Sequence, residues 1–329
     1  TRYTQASGTP ELRAAVAHLY GGTYGLAVTP EQVLISNGAK HSLHNALAGS
    51  INPGDEVIIP TPYWVSYSDL VAMTGGIPVL VPTTMESGFR LTPEALKAAV
   101  TPRTKMLLLN APSNPTGAVY SRSQLEAIAK VVLETGISVL SDEIYERLMF
   151  DGREPVCFAT LHPDLPGRTI TVSGVSKTYA MTGWRIGWSV APVPLTKAMG
   201  NIQSQQTSNP CSVSQAAALA AITGEQGCVE SMRMEQRLAR DLHPARPHPA
   251  GGGSSPSQGG SSRHAASPGA RAPRQGPERS ADPRAQAHPT HRWAGHPVPQ
   301  PQGLLPFCRL PGLRRDRHLQ ILRPVAHLP

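Results

Sequence analysis

Seven short apolar runs punctuate the first 190 residues of this 329-residue chain: 32–36 (QVLIS), 56–59 (EVII), 77–81 (IPVLV), 105–110 (KMLLLN), 137–141 (ISVLS), 169–173 (TITVS) and 186–190 (IGWSV). Most are apolar without alternation, so as strands they have to bury both faces. Helix-period segments separate most of them; in residues 121–134 the apolar positions are Leu125, Ile128, Ala129, Val132 and Leu133. Such alternation predicts an α/β protein with a mostly parallel, mixed sheet flanked by helices. In sheets of this kind, ligands gather beyond the carboxyl ends of the strands.

The pattern stops abruptly. Residues 1–242 hold all six lysines, whereas residues 243–329 hold twelve arginines, no lysine, three acidic residues, 16 of the 33 prolines and eight of the twelve histidines. The tail therefore carries +9 of the chain's net +8, and the first 242 residues carry −1. Composition divides the chain into an α/β domain at 1–242 and a low-complexity tail at 243–329, expected to be largely disordered because it cannot bury enough apolar surface. The four cysteines form no CxxC pair, which suggests neither a disulfide framework nor a thiolate metal site. No apolar run reaches the roughly 20 residues of a membrane span, and a reducing, cytoplasmic setting is the plain expectation.

The polar residues that follow the strands share one edge: 36–40 (SNGAK), 114–117 (NPTG), 141–145 (SDEIY) and 174–177 (GVSK). Lys177 is unusual among them. It sits in 172–188 (VSGVSKTYAMTGWRIGW) with no acidic residue within ten positions, which is not the setting of a surface lysine.

The segment GVSKTYAMTGWRIG resembles the pyridoxal-phosphate lysine signature of class I aminotransferases, and PYW, NPTG and SDEIY stand in that family's order. The resemblance runs from Tyr3 to about Gln236 and implies the large domain of pyridoxal-phosphate fold type I. By this resemblance Lys177 carries the cofactor, Asp142 pairs with the pyridine nitrogen, and Tyr145 with Asn114 bonds the ring's 3-oxygen. Trp64 would stack on the ring, and Tyr3 would reach the phosphate of a neighbouring subunit in a homodimer. Lys177, Asp142 and Tyr145 are the expected catalytic residues. The physics agrees: a lysine that attacks a carbonyl must lose its proton near neutral pH, which nearby positive charge and desolvation promote. Arg185 supplies a fork for a phosphate, the Gly38-Ala39 turn supplies backbone amides at a helix start, and Ser176 adds a hydroxyl.

Taken singly, each residue has a plainer role: Asp142 a helix cap, Trp64 a core aromatic, Tyr3 a surface aromatic, Arg185 an ion-pair partner, Asn114 a turn residue and Lys177 a solvated amine. Their common order on one edge favours the chemical account. Glu143 reads as structural, since neighbouring side chains in an extended segment point apart. His41 and His44, three apart, read as a helix face rather than a metal site.

On the substrate side stand Lys40, Trp64 and Asn114. The stretches NGAK, TPYWVSY and SQQTSNP resemble most the bacterial aspartate and prephenate aminotransferase branch, where a lysine at this place favours dicarboxylic substrates. Lys40 as a cap of the phosphate turn or a solvent-facing side chain is an equal alternative. The expected substrates are an amino acid, aspartate-, glutamate- or prephenate-like, and a 2-oxo acid.

The tail departs from the family pattern. It shows neither the small-domain strand nor the arginine that clamps the substrate α-carboxylate, and its composition is what an out-of-frame reading of GC-rich DNA gives. The start at Thr1, inside what reads as a loop before a helix, suggests a fragment. Slow turnover with intact cofactor binding is the resulting expectation. The competing reading is a cofactor-binding regulatory module with a basic tail. Against nucleic acid stand the lack of lysine and the two isolated aromatics Trp293 and Phe307. A third reading is a product with no function of its own.

Overall fold

The computed structural model describes residues 2–242. The expectations about the tail, including its disorder, its reading frame and its missing clamp, lie outside the described residues.

Strands β1 (Val33–Ser36), β2 (Glu56–Thr61), β3 (Ile77–Pro82), β4 (Thr104–Asn110), β5 (Ser138–Asp142), β6 (Thr169–Gly174) and β7 (Gly187–Val190) form one sheet in the order β1-β7-β6-β5-β4-β2-β3. Neighbours from β6 to β3 pair in parallel, whereas β7 runs antiparallel to both β6 and β1. The mixed, mostly parallel sheet is the one that the apolar runs predict. Strand limits move by one or two residues: β1 starts at Val33 because residues 30–32 form a 3₁₀ turn, and β2 continues to Thr61.

The helices are α1 (Pro10–Tyr24), α2 (Ala39–Ser50), α3 (Ser66–Met73), α4 (Pro93–Ala99), α5 (Arg122–Thr135), α6 (Val175–Thr178), α7 (Val193–Gln206), α8 (Ser212–Thr223) and α9 (Gly227–Leu242). Alternate residues of β4 show why its sequence does not alternate. Met106 and Leu108 join a core with Leu43 and Leu47 of α2, Val71 of α3 and Met199 of α7. Leu107 and Leu109 face the other way, into a core with Leu96 of α4 and Ile128 and Val132 of α5. A third core packs Leu12, Val16 and Tyr20 of α1 against Val33, Ile35, Trp188 and Val190. Burying the two methyl-rich faces drives the layering, at roughly 1.5–3 kcal/mol for each large side chain removed from water. Local signals agree with it: Ser121 accepts from the Gln124 N–H at 3.2 Å while Gln124 accepts from the Ser121 N–H at 2.9 Å, and Gly136 closes α5 at φ 74°.

The antiparallel β7 has a particular effect at the edge. Its first residue, Gly187, pairs with Ser36, the last residue of β1, and with Gly174, the last of β6. A Cβ on Gly187 would overlap the backbone of Gly38 and Ala39, with the Ala39 Cα only 2.8 Å away. The glycine therefore lets the start of α2 lie directly on the strand. Gly187→Ala is expected to destabilise the fold by about 1–3 kcal/mol, the usual range for forced overpacking. A chemical-denaturation midpoint equal to that of the parent would refute this.

Candidate active site

The carboxyl ends of β1, β2, β4, β5 and β6 and the amino end of β7 meet at one edge, where nearly all the residues singled out from the sequence are found. Asp142 ends β5 and is 3% exposed. Its Oδ2 accepts from the Tyr67 hydroxyl at 2.7 Å and its Oδ1 from the Ile144 N–H at 3.2 Å. Burial pushes the carboxyl up to about 6, while the Tyr67 and Ile144 bonds and the charge of Lys177 pull it back.

Lys177 lies one strand away, on α6 directly after β6, and is half-buried. Desolvation holds its amine below the ordinary lysine range, the Arg185 guanidinium lowers it further, and Asp142 opposes both. Its Nζ stands 5.5 Å from the centre of the Tyr145 ring. The Tyr145 hydroxyl accepts from Asn114 Nδ2 at 3.4 Å. Asn114 is set in turn by Asn110, the last residue of β4: Asn110 Oδ1 accepts from the Asn114 N–H at 2.7 Å, and Asn110 Nδ2 donates to the Asp142 carbonyl at 2.8 Å. One amide thus ties the 114–117 turn to the end of the neighbouring strand.

Opposite this cluster, Gly38 opens α2 at φ 86°. The Arg185 guanidinium fills the space that a Gly38 side chain would occupy. Arg185 is itself in the left-handed region, φ 55° and ψ 51°, and its guanidinium donates to the Thr182 carbonyl at 2.9 Å. Helix-start amides of Ala39 and Lys40 beside a guanidinium form a cradle for an anion. Ser176, 8% exposed, lies on α6 next to Lys177.

Trp64 is half-buried just before α3 and meets Tyr67 edge-on, with centroids 5.4 Å apart and planes at 89°. Lys40 is exposed, with its Nζ 4.7 Å from the centre of the Trp64 ring. Tyr3 is 90% exposed and has no place in the hydrogen-bonded cluster around Asp142.

Glu143 turns away from Asp142, as the extended backbone requires. Its Oε1 accepts from Ser141 Oγ at 2.8 Å and from the Phe158 N–H at 2.9 Å. Burial first, and Glu146 nearby, raise this carboxyl to about 8. Among the described residues no group of three or more His, Cys, Asp or Glu side chains is placed to hold a metal. His41 and His44 instead share Gln206.

Two contributors escaped the sequence reading, Tyr67 and Asn110. Tyr67 lies one helical turn beyond Trp64 in PYWVSY, and Asn110 ends the run KMLLLN in register with Asp142. For Asn110 the missing information is the strand register, and for Tyr67 it is the packing of α3 on the sheet.

A buried acid, a partly desolvated lysine and helix-start amides beside a guanidinium thus meet at one edge of a mixed α/β sheet. The family model for aminotransferase class I and II matches residues 1–243, and the chain belongs to that family. It is 51% identical over 243 residues to an aspartate/prephenate aminotransferase of Cereibacter sphaeroides, covering 74% of this chain and 61% of the relative. It is 46% identical over 240 residues to an aspartate aminotransferase of Geobacillus stearothermophilus, covering 72% and 61%. Among solved structures, the aspartate aminotransferase of Rhizobium meliloti superposes with a TM-score of 0.73 at 48% identity, over 74% of this chain and 61% of that one. The Thermus thermophilus aspartate aminotransferase with maleate gives 0.71 at 43% identity, over 74% and 63%. The chain thus spans about 61% of the length of the curated relatives it matches.

The bond from Tyr67 to Asp142 favours the ionised carboxylate. Tyr67→Phe is therefore expected to raise the Asp142 midpoint above its present value of about 6, as followed by carboxyl infrared difference spectra against pH. A midpoint that stays put would show that the hydroxyl does not act on the acid.

Proposed function

We propose that this chain is the cofactor-binding part of a pyridoxal-phosphate-dependent transaminase that moves an amino group between an amino acid and a 2-oxo acid. The observation that carries the reading is the pairing of a pKa-depressed Lys177 with the buried Asp142 beside an anion cradle.

The residues present fit the cofactor. The Arg185 guanidinium lies against Gly38, where only a glycine leaves it room, beside the first amides of α2, and the two together suit a phosphate. The acid that suits a protonated pyridine nitrogen is the buried Asp142, whose two oxygens are already oriented by Tyr67 and Ile144. Tyr145 and Asn114 would hold the ring oxygen, Trp64 would cover a ring face, and Ser176 would add a donor to the phosphate.

When bound, pyridoxal phosphate supplies an electron sink for the pair released as the substrate Cα–H bond breaks. The rest is done by the chain. Its depressed pKa favours the neutral amine of Lys177, which suits it both to hold the cofactor and to take the Cα proton on Nζ and return it. Burial first, and then the charge of Arg185, keep that amine depressed, and Asp142 would supply the negative charge for the cofactor's pyridine nitrogen. Tyr145 and Asn114 fix orientation, and positioning of reacting groups is worth on the order of 7–11 kcal/mol in the best cases.

For the substrate we propose a dicarboxylic amino acid. Lys40 offers an exposed cation over Trp64, at the same edge, for a distal carboxylate. The relatives named as acting on aspartate agree with this choice. The exposed Tyr3 suits a role across a homodimer, as the ring that reaches a neighbouring subunit's phosphate. Localisation in the cytoplasm belongs to the same reading; what the structure gives is that no helix among the described residues is long and apolar enough to cross a membrane.

Adding pyridoxal phosphate to the purified chain is expected to give a visible absorbance band, and borohydride treatment followed by peptide mapping to place the label on Lys177. Lys177→Ala is expected to lose both. A colourless parent protein, or a label fixed elsewhere, would overturn the proposal.

A further inference from the structure

The turn between β1 and α2 is held from behind by a side chain that the chemistry above does not use. His41, on the first turn of α2, accepts the Asn37 N–H on Nδ1 at 3.3 Å. Its Nε2 lies 2.9 Å from Gln206 Oε1, at the end of α7. The donor roles follow from the partners. A backbone N–H only donates, so Nδ1 carries the lone pair and Nε2 carries the proton that it gives to Gln206. Gln206 then turns its amide nitrogen to His44 Nδ1 at 3.4 Å. The histidine is thereby locked as a single neutral tautomer, clasping α2 to α7 and fixing the peptide that precedes Gly38.

We infer that neutral His41 is a positioning residue for the anion cradle at Gly38, and that its protonation loosens the grip on a phosphorylated ligand. The inference rests on reading that turn as the phosphate site. A proton on Nδ1 would set an N–H against the Asn37 N–H, two donors with nothing to accept, and the turn would have to move.

The surroundings oppose the cation. Burial first, and His44 second, hold His41 below the ordinary histidine value, while the bond to Gln206 opposes them. On α2 and the elements packed around it, the titratable and charged groups are Lys40 and His44 on α2 itself, Arg185 ahead of β7, Lys197 on α7, Tyr67 and Asp69 on α3 and Asp142 at the end of β5; Gln206 is the residue that α7 presents to the ring. The sign follows from linkage: a histidine whose folded value is depressed keeps its contribution at high pH and loses it as pH falls through and below about 6.5.

The test compares the full chain with His41→Asn and His41→Leu, measuring affinity for pyridoxal phosphate and for unphosphorylated pyridoxal at about pH 8 and about pH 5.5, either side of the histidine range. Asparagine keeps an acceptor near the Nδ1 position that does not titrate, and leucine removes it. The phosphate group titrates with its own pKa near 6, equally in all three proteins, so the comparison between them isolates His41. The parent is expected to lose roughly three- to tenfold more phosphate-dependent affinity on acidification than His41→Asn, the size of one hydrogen bond. His41→Leu is expected to be weak at both pH values. Superimposable pH curves for the parent and His41→Asn would overturn the inference.

Ring ¹⁵N shifts and the Asn37 amide signal of the parent decide the clasp without any cofactor. A proton on Nε2 and an amide that moves with the His41 midpoint support it. A proton on Nδ1, or an amide that ignores the titration, refutes it. If the parent binds the phosphorylated and unphosphorylated forms equally at about pH 8, the phosphate reading fails on its own account, whatever the ring signals show.

Discussion

Both faces of the central strands are buried, and that constraint governs where polar chemistry can exist in this molecule. Strand β4 sends Met106 and Leu108 into one core and Leu107 and Leu109 into the other, so no position along its middle can hold a charge. Only where the strands end do side chains escape the two cores. Asn110, Asp142 and Gly174 are the last residues of three adjacent strands. An acid placed there is still deeply desolvated yet has neighbours able to bond it, which is how a buried carboxylate survives.

The same edge balances charge without a direct ion pair among its principal groups. Arg185 and Lys177 repel, Asp142 attracts Lys177, and burial penalises both the amine and the acid. The outcome is a lysine shifted down and an aspartate shifted up, each toward the range where proton exchange near neutrality is easy. Glu143, next in sequence, is raised further still, by burial first and by Glu146 beside it, and it serves the loop at Phe158 instead. Two adjacent carboxyls thus differ in role because consecutive residues of an extended chain face opposite layers.

Much of this is legible in the sequence, for identifiable reasons. The apolar runs of the central strands give them away because burial on both sides removes alternation, and glycine-rich punctuation marks where Lys177 and the Gly38 turn must lie. What the sequence hides is pairing. Nothing in KMLLLN says that Asn110 stands level with Asp142, and nothing in PYWVSY says that the second tyrosine reaches the acid 75 residues away. The antiparallel insertion of β7, which brings Gly187 under the start of α2, is equally silent, since a strand's direction leaves no mark in four residues. The two histidines illustrate the limit: their spacing correctly gives a helix face, but Gln206, 165 residues from His41, gives that face its purpose.

Trp64 and Tyr67 occupy one turn at the head of α3 and touch edge to plane. The surface that a planar ligand would press on and the hydroxyl that stabilises the Asp142 anion are therefore parts of one rigid body. Thermodynamic reciprocity then ties occupancy of that surface to proton uptake: whatever force a ligand exerts through the indole alters how firmly the acid holds hydrogen, and pH alters the ligand's affinity by an equal factor. Binding heat at this site will thus depend on the ionisation enthalpy of the buffer, through protons that the ligand itself neither carries nor accepts.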